Sequence, residues 1–251
     1  MQRVRELISP SDRTQDALHG MPEERLAPGY VFAFLAAHSS SKVRLITKQL
    51  TQSWSRRLSP QRSQSSVLLA DFSEPGYSRW QTAKVARRLD RRSWSTLVRE
   101  AEGHDRVDFS AVNLPYIGPA LDYARLHYRV SCIDLSSAKP AQCLEVLRSS
   151  DSIFVVSNTD RLSLDGACDR AEWLRAMGLA ENCGLILWRS PHGATAAEAE
   201  DLTGFPVCSL LGAENRQLEL LAQWLAPRPE FEGGSETQSA EEQTEEATES
   251  K

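Results

Sequence analysis

No apolar run in this 251-residue chain approaches the roughly 18–20 residues needed to cross a bilayer. The first residues, MQRVRELISPSDRTQD, have no apolar stretch of the kind that drives secretion. A cytoplasmic protein is therefore the expectation. Cysteine is sparse: Cys132, Cys143, Cys168, Cys183 and Cys208 contain no CxxC pair, and their number is odd. That spacing fits neither a disulfide framework nor a zinc site and leaves buried, reduced thiols. His104, His127 and His192 stand isolated and read as structural or surface residues, and no serine-histidine-aspartate arrangement can be picked out. No internal repeat is evident.

What is present is an ordinary globular composition, 41% hydrophobic and 25% charged, in a chain long enough for one large domain with tails. The net charge of −5 is unevenly spread: eight glutamates and one lysine after Arg228 leave the rest of the chain at +2. Residues 229–251 are too poor in apolar side chains to offset the entropy of ordering and read as an acidic, disordered tail. Residues 1–28, polar with three prolines, read as an irregular or partly helical lead-in. The folded domain is expected over 29–228.

Along that domain, short apolar runs alternate with amphipathic segments. YVFAFLAA (30–37), SVLLADF (66–72), RVDFSAVNLP (106–115), RVSCIDL (129–135), SIFVVSN (152–158), GLILWRS (184–190) and PVCSLL (206–211) read as strands, the third running into a loop. Helices are expected over 43–58, 80–100, 117–127, 141–150, 162–177, 194–204 and 214–226. The alternation predicts an α/β fold, a mostly parallel sheet with helices on both faces. In such sheets ligands sit beyond the carboxyl ends of the strands, here the loops 37–43, 71–76 and 134–140.

The first loop, AHSSSKV, joins a strand to a helix and carries a lysine, the outline of a phosphate-binding loop without its glycines. Ser39, Ser40, Ser41, Lys42 and Val43 are the candidate cofactor-binding residues. Ser39–Ser41 offer hydroxyls, but their Cβ atoms obstruct the close approach glycine permits. Val43 stands where a magnesium-binding hydroxyl belongs. Taken alone, Lys42 reads as a lysine at a helix start. Asp71 and Asp134 each end an apolar strand, where a carboxylate would hold magnesium or its water, or would simply cap a turn. Both are candidate catalytic residues should the chain be active, with Asp134 the candidate metal ligand.

From about Tyr30 to Pro227 the sequence resembles the MinD/ParA-type P-loop ATPases, and within them the CpaE/TadZ-like proteins of pilus assembly systems. AFLAAHSSSKVRLITKQL is similar to the family's strand and deviant Walker A loop, K-G-G-V-G-K-T-T. SVLLADF resembles its second acidic motif and YRVSCIDLSS its Walker B strand. RSSDSIFVVSNTDRLSLDGACDRAEWLRAMGL resembles a strand and helix with a GL exit, and GLILWRS the strand carrying a base-recognising asparagine. The resemblance implies a P-loop NTPase-like three-layer sandwich. It keeps Lys42, Asp71 and Asp134, but Ala37 replaces the signature lysine that reaches across the family's dimer to the phosphates. His38, Ser39 and Ser41 replace glycines, Val43 the magnesium-binding threonine and Trp188 the asparagine. Loss of positioned charge implies severely slowed hydrolysis.

The expectation is thus a degenerate, non-hydrolysing scaffold or positioning factor with no resident cofactor, partnered by a protein, either a second copy or a MinD/ParA-like relative. One rival is a weak ATPase binding ATP and magnesium through Lys42, Asp71 and Asp134. Another uses KVARRLDRRSW, where Lys84, Arg87, Arg88, Arg91 and Arg92 share one face if helical, to contact a partner, nucleic acid or an anionic membrane surface.

Overall fold

The computed structural model describes residues 28–58, 65–72, 94–95, 97–109 and 114–226. The chain runs β1 (Tyr30–Ala36), α1 (Val43–Leu58), β2 (Val67–Asp71), β3 (Arg99–Ala101), β4 (His104–Asp108), α2 (Leu114–His127) and β5 (Val130–Asp134). It continues through α3 (Pro140–Arg148), β6 (Ser152–Asn158), α4 (Arg161–Ala176), β7 (Cys183–Trp188), α5 (Ala196–Thr203), β8 (Val207–Leu211) and α6 (Asn215–Leu225). The strands form one eight-stranded sheet in the order β3-β4-β2-β5-β1-β6-β7-β8. Every neighbouring pair is parallel except β3 with β4.

Strand parity divides the core in two. Val31, Ala33 and Leu35 of β1 face α2, α3, α4 and α5, while Phe32 and Phe34 face α1 and α6. A strand buried on both faces needs apolar residues at successive positions, which is why β1, β2 and β6 read as unbroken apolar runs. On the second face Trp54 is fully buried against Phe32, and its indole N–H donates to the Ala222 carbonyl at 2.8 Å, joining α1 to α6. At the amino ends of the strands, Asp151 accepts from the Val31 amide at 2.7 Å and from Arg125 at 2.6 Å. Arg125 also donates to the Ser149 carbonyl at 2.6 Å, closing a nearly buried ion pair between α2, β1 and β6.

The expected three-layer α/β architecture is the observed one. Local differences have local causes. Of the helix expected over 80–100, Trp94 and Ser95 are helical, but Arg99–Ala101 is a strand. It turns back onto β4 through Glu102 and Gly103, whose φ values of 49° and 83° suit a tight hairpin. A glutamate in the left-handed region gave no sequence signal for that turn. The helix expected from 117 begins at Leu114, before the strand-and-loop stretch expected over 106–115 ends. Cys132, Cys143 and Cys183 are buried thiols, whereas Cys168 and Cys208 are only half-buried. The stripe Lys84–Arg92, the acidic tail and residues 1–27 lie outside the described residues.

Candidate functional site

The loop from Ala37 to Lys42 leaves the central strand at its carboxyl end and feeds α1. Lys42 supplies the carbonyl that accepts the Ile46 amide at 3.0 Å, so it caps α1, and its side chain is exposed. Three loop amides are spent inside the loop. The His38 amide donates to Ser41 Oγ at 3.0 Å, the Ser41 amide to the His38 carbonyl at 2.9 Å, and the Ser40 amide to His38 Nδ1 at 3.3 Å. A phosphate cradle works by aiming such N–H groups at an external anion. Here they close a compact turn.

The turn is also tied to the elements beside it. Ser40 Oγ lies 3.0 Å from His38 Nδ1, 3.5 Å from Ser163 Oγ, and accepts from Asn158 Nδ2 at 3.1 Å. Ser163 is held in turn by Asp160, which caps α4 by accepting from its amide at 3.0 Å and its hydroxyl at 2.9 Å. These hydrogen bonds hold the Asp160 carboxyl below its usual range despite the opposing effect of its partial burial. Asn158 Oδ1 is buried with no hydrogen-bond partner among the described residues. Gly166 of α4 sits against the loop so closely that a Cβ there would lie 2.6 Å from the Ala37 carbonyl oxygen. One helical turn on, Arg170 Nε donates to the Ala36 carbonyl at 3.3 Å.

Val43, at the expected magnesium position, is wholly buried among Phe34, Ile46 and their neighbours, so its side chain belongs to the core. Ser39 and Ser40 are exposed, and the Ser41 hydroxyl is engaged by His38.

Asp71 and Asp134 are brought together. They are register partners on β2 and β5, both lie on the α1 face, and both are 4% exposed. Asp71 Oδ2 accepts from Arg106 of β4, at 2.9 Å from Nε and from a terminal nitrogen as well, while Oδ1 has no hydrogen-bond partner among the described residues. Asp134 Oδ1 accepts from the Ser136 amide at 2.8 Å. Burial pushes the Asp134 carboxyl above its usual range, opposed by the Ser136 hydrogen bonds, reinforced by Asp71 and opposed again by Arg44.

Arg106, Asn158 and Ser163 were missed in the sequence reading. An arginine inside a short polar strand carries no signal for a neighbour two strands' width of sequence away, and Ser163 resembles any first-turn serine. Trp188 ends β7 half-buried, beside Asn158 in register, and its carbonyl accepts the Thr159 amide at 2.9 Å. His104 is buried with Nδ1 lacking a hydrogen-bond partner among the described residues, and burial lowers its pKa. No cluster of three metal-ligating side chains occurs among the described residues.

A central parallel strand running into a loop and a helix, with two acidic strand ends beside it, defines an α/β protein with the fold of MinD/ParA-type P-loop ATPases. Three solved structures illustrate the likeness. A ParA family ATPase from Chlorobium tepidum TLS is similar at 16% identity and a TM-score of 0.59, covering 81% of this chain and 94% of its own. MinD complexed with Mg-ADP from Pyrococcus horikoshii OT3 gives 14% and 0.55, with 77% and 86% covered. A plasmid partition protein from Borrelia burgdorferi B31 bound to AMPPNP gives 11% and 0.54, with 78% and 97% covered. At these identities the likeness is one of fold. No family model matches the chain, and no curated protein matches it in sequence.

Proposed function

We propose that this protein is a non-hydrolysing scaffold or positioning factor, built on the MinD/ParA fold, for a cytoplasmic assembly of pilus or polysaccharide type. The observation that carries the reading is the closed loop: the His38, Ser40 and Ser41 amides, which would face a phosphate, are bonded to acceptors within it. The burial of Val43 supports it, since a valine offers magnesium no oxygen ligand, and the Arg106 clamp takes up one of the two Asp71 oxygens, Oδ2. ATP with magnesium therefore does not fit the residues around Lys42, and the chain acts through surfaces rather than turnover. Its partner is a second copy or a MinD/ParA-like protein. A MinC:MinD complex from Aquifex aeolicus is among the structures similar in fold. Partner contact through Lys84, Arg87, Arg88, Arg91 and Arg92 rests on the sequence alone.

Calorimetry with ATP and ADP in magnesium is the test. No saturable heat and no phosphate release are expected, and Lys42→Ala changes neither. The rival reading, a weak ATPase, draws on Asp71 Oδ1, which has no partner among the described residues and lies beside Asp134. Micromolar nucleotide binding lost in Lys42→Ala, with phosphate release lost in Asp71→Asn, would establish it and sink the scaffold.

A further inference from the structure

Between the carboxyl ends of β1 and β5, on the face covered by α3 and α4, lies a crevice of about 170 Å³. Leu35, Leu135, Pro140 and Trp173 give it apolar walls, and Ser136 and Arg170 add polar groups at its edge. It lies on the opposite face of the sheet from α1, whose start carries Lys42 and Val43. An apolar cavity of about 150 Å³ is enough to admit a benzene ring.

Arg170 is the feature an ordinary surface hollow would lack. Its Nε is fixed on the Ala36 carbonyl, and no carboxylate forms an ion pair with it among the described residues. Its charge also reaches the other wall. Burial pushes the Cys143 thiol upward, and the Arg170 guanidinium offsets part of that rise. Cys143 itself lines the crevice. α3 begins at Pro140 on the rim, so the positive end of a nine-residue helix points to the same place.

We propose that this crevice binds a small monocarboxylate with a compact apolar body, its carboxylate on Arg170 and Ser136 and its hydrocarbon part between Leu135, Pro140 and Trp173. The chemistry selects that class. A guanidinium whose two terminal nitrogens have no partner among the described residues matches a carboxylate bidentately, whereas a doubly charged phosphate calls for more than one cation. The apolar walls reject a fully polar anion, because stripping its hydration would go uncompensated. Occupancy also bears on the loop. The same arginine holds Ala36, the residue before Ala37, through Nε, so a carboxylate seated on its terminal nitrogens bears on the joint between β1 and the loop. The proposal does not depend on the scaffold reading.

The test uses the full chain and benzoate as probe, with benzyl alcohol as the neutral analogue, read by tryptophan fluorescence and by thermal melting. Benzoate is expected to bind saturably with a dissociation constant on the order of 1 mM or tighter, the range open to so small a ligand. Benzyl alcohol should bind about tenfold more weakly, as should benzoate to Arg170→Gln. Arg170 is exposed, so that variant should still fold, and its response to benzoate is read against its own ligand-free melt. Cys143→Leu fills the crevice while keeping the arginine, and it too should lose benzoate. No saturable response up to about 10 mM, or binding untouched by both variants, overturns the proposal. Equal binding of benzyl alcohol also overturns it and points instead to a protein partner's aromatic side chain. Nucleotide titrations of the same sample fail or succeed separately.

Discussion

Val43 and Asp134 show how single positions set the packing and the electrostatics around the carboxyl ends of the strands. At position 43 a valine completes the packing between β1 and α1. Asp134 is costly: its carboxyl is buried beside Asp71, with Ser136 supplying its hydrogen bonds. Because its folded pKa is raised above the usual carboxylate value, the folded chain holds the proton more tightly than the unfolded chain. The penalty is therefore fully present above the folded pKa and fades as pH falls through it toward 3.8. Asp134→Asn should accordingly raise the denaturation midpoint at pH 7, and the gain should shrink in acid. Denaturant titrations of both proteins at pH 7 and pH 4 check this, and a lower midpoint at pH 7 would contradict it.

At the scale of elements, α4 governs the loop. Its cap at Asp160, its first-turn Ser163, its Gly166 and its Arg170 all meet residues 36–40 or their immediate supports. Gly166→Ala forces a Cβ against the Ala37 carbonyl, and because that neighbour is backbone it cannot swing aside. A loss of about 1–3 kcal/mol is expected, as for overpacked cores, with faster amide exchange at His38–Ser41. Exchange unchanged in the folded variant would show that the loop does not lean on α4. At the opposite end of the sheet, Arg125→Ala leaves Asp151 nearly buried without its cation and should cost about 3–5 kcal/mol in a denaturant titration. The elements themselves were legible, because strands buried on both faces must be continuous apolar runs. Strand ends were legible too, in Asp71 and Asp134. The loop's inward-turned amides were not, because a serine reads the same whether its neighbours' N–H groups point out or in. Nor was the Ser40–Asn158 contact, whose partners lie 118 residues apart.

For the whole molecule, the central place of β1 is decisive. Tyr30 pairs with Val130 on one side, and Phe32 with Ser152 on the other. A ribosome delivers roughly 5–20 residues per second. The first described strand must therefore wait many seconds for either neighbour, with Phe32 and Phe34 uncovered and both its hydrogen-bonding edges open to foreign strands. The residues that fasten Ser40, Asn158 and Ser163, emerge later still. A nascent chain halted before Ser152 would thus be a natural client for chaperones, and the serine turn would be among the last parts of the domain to take shape.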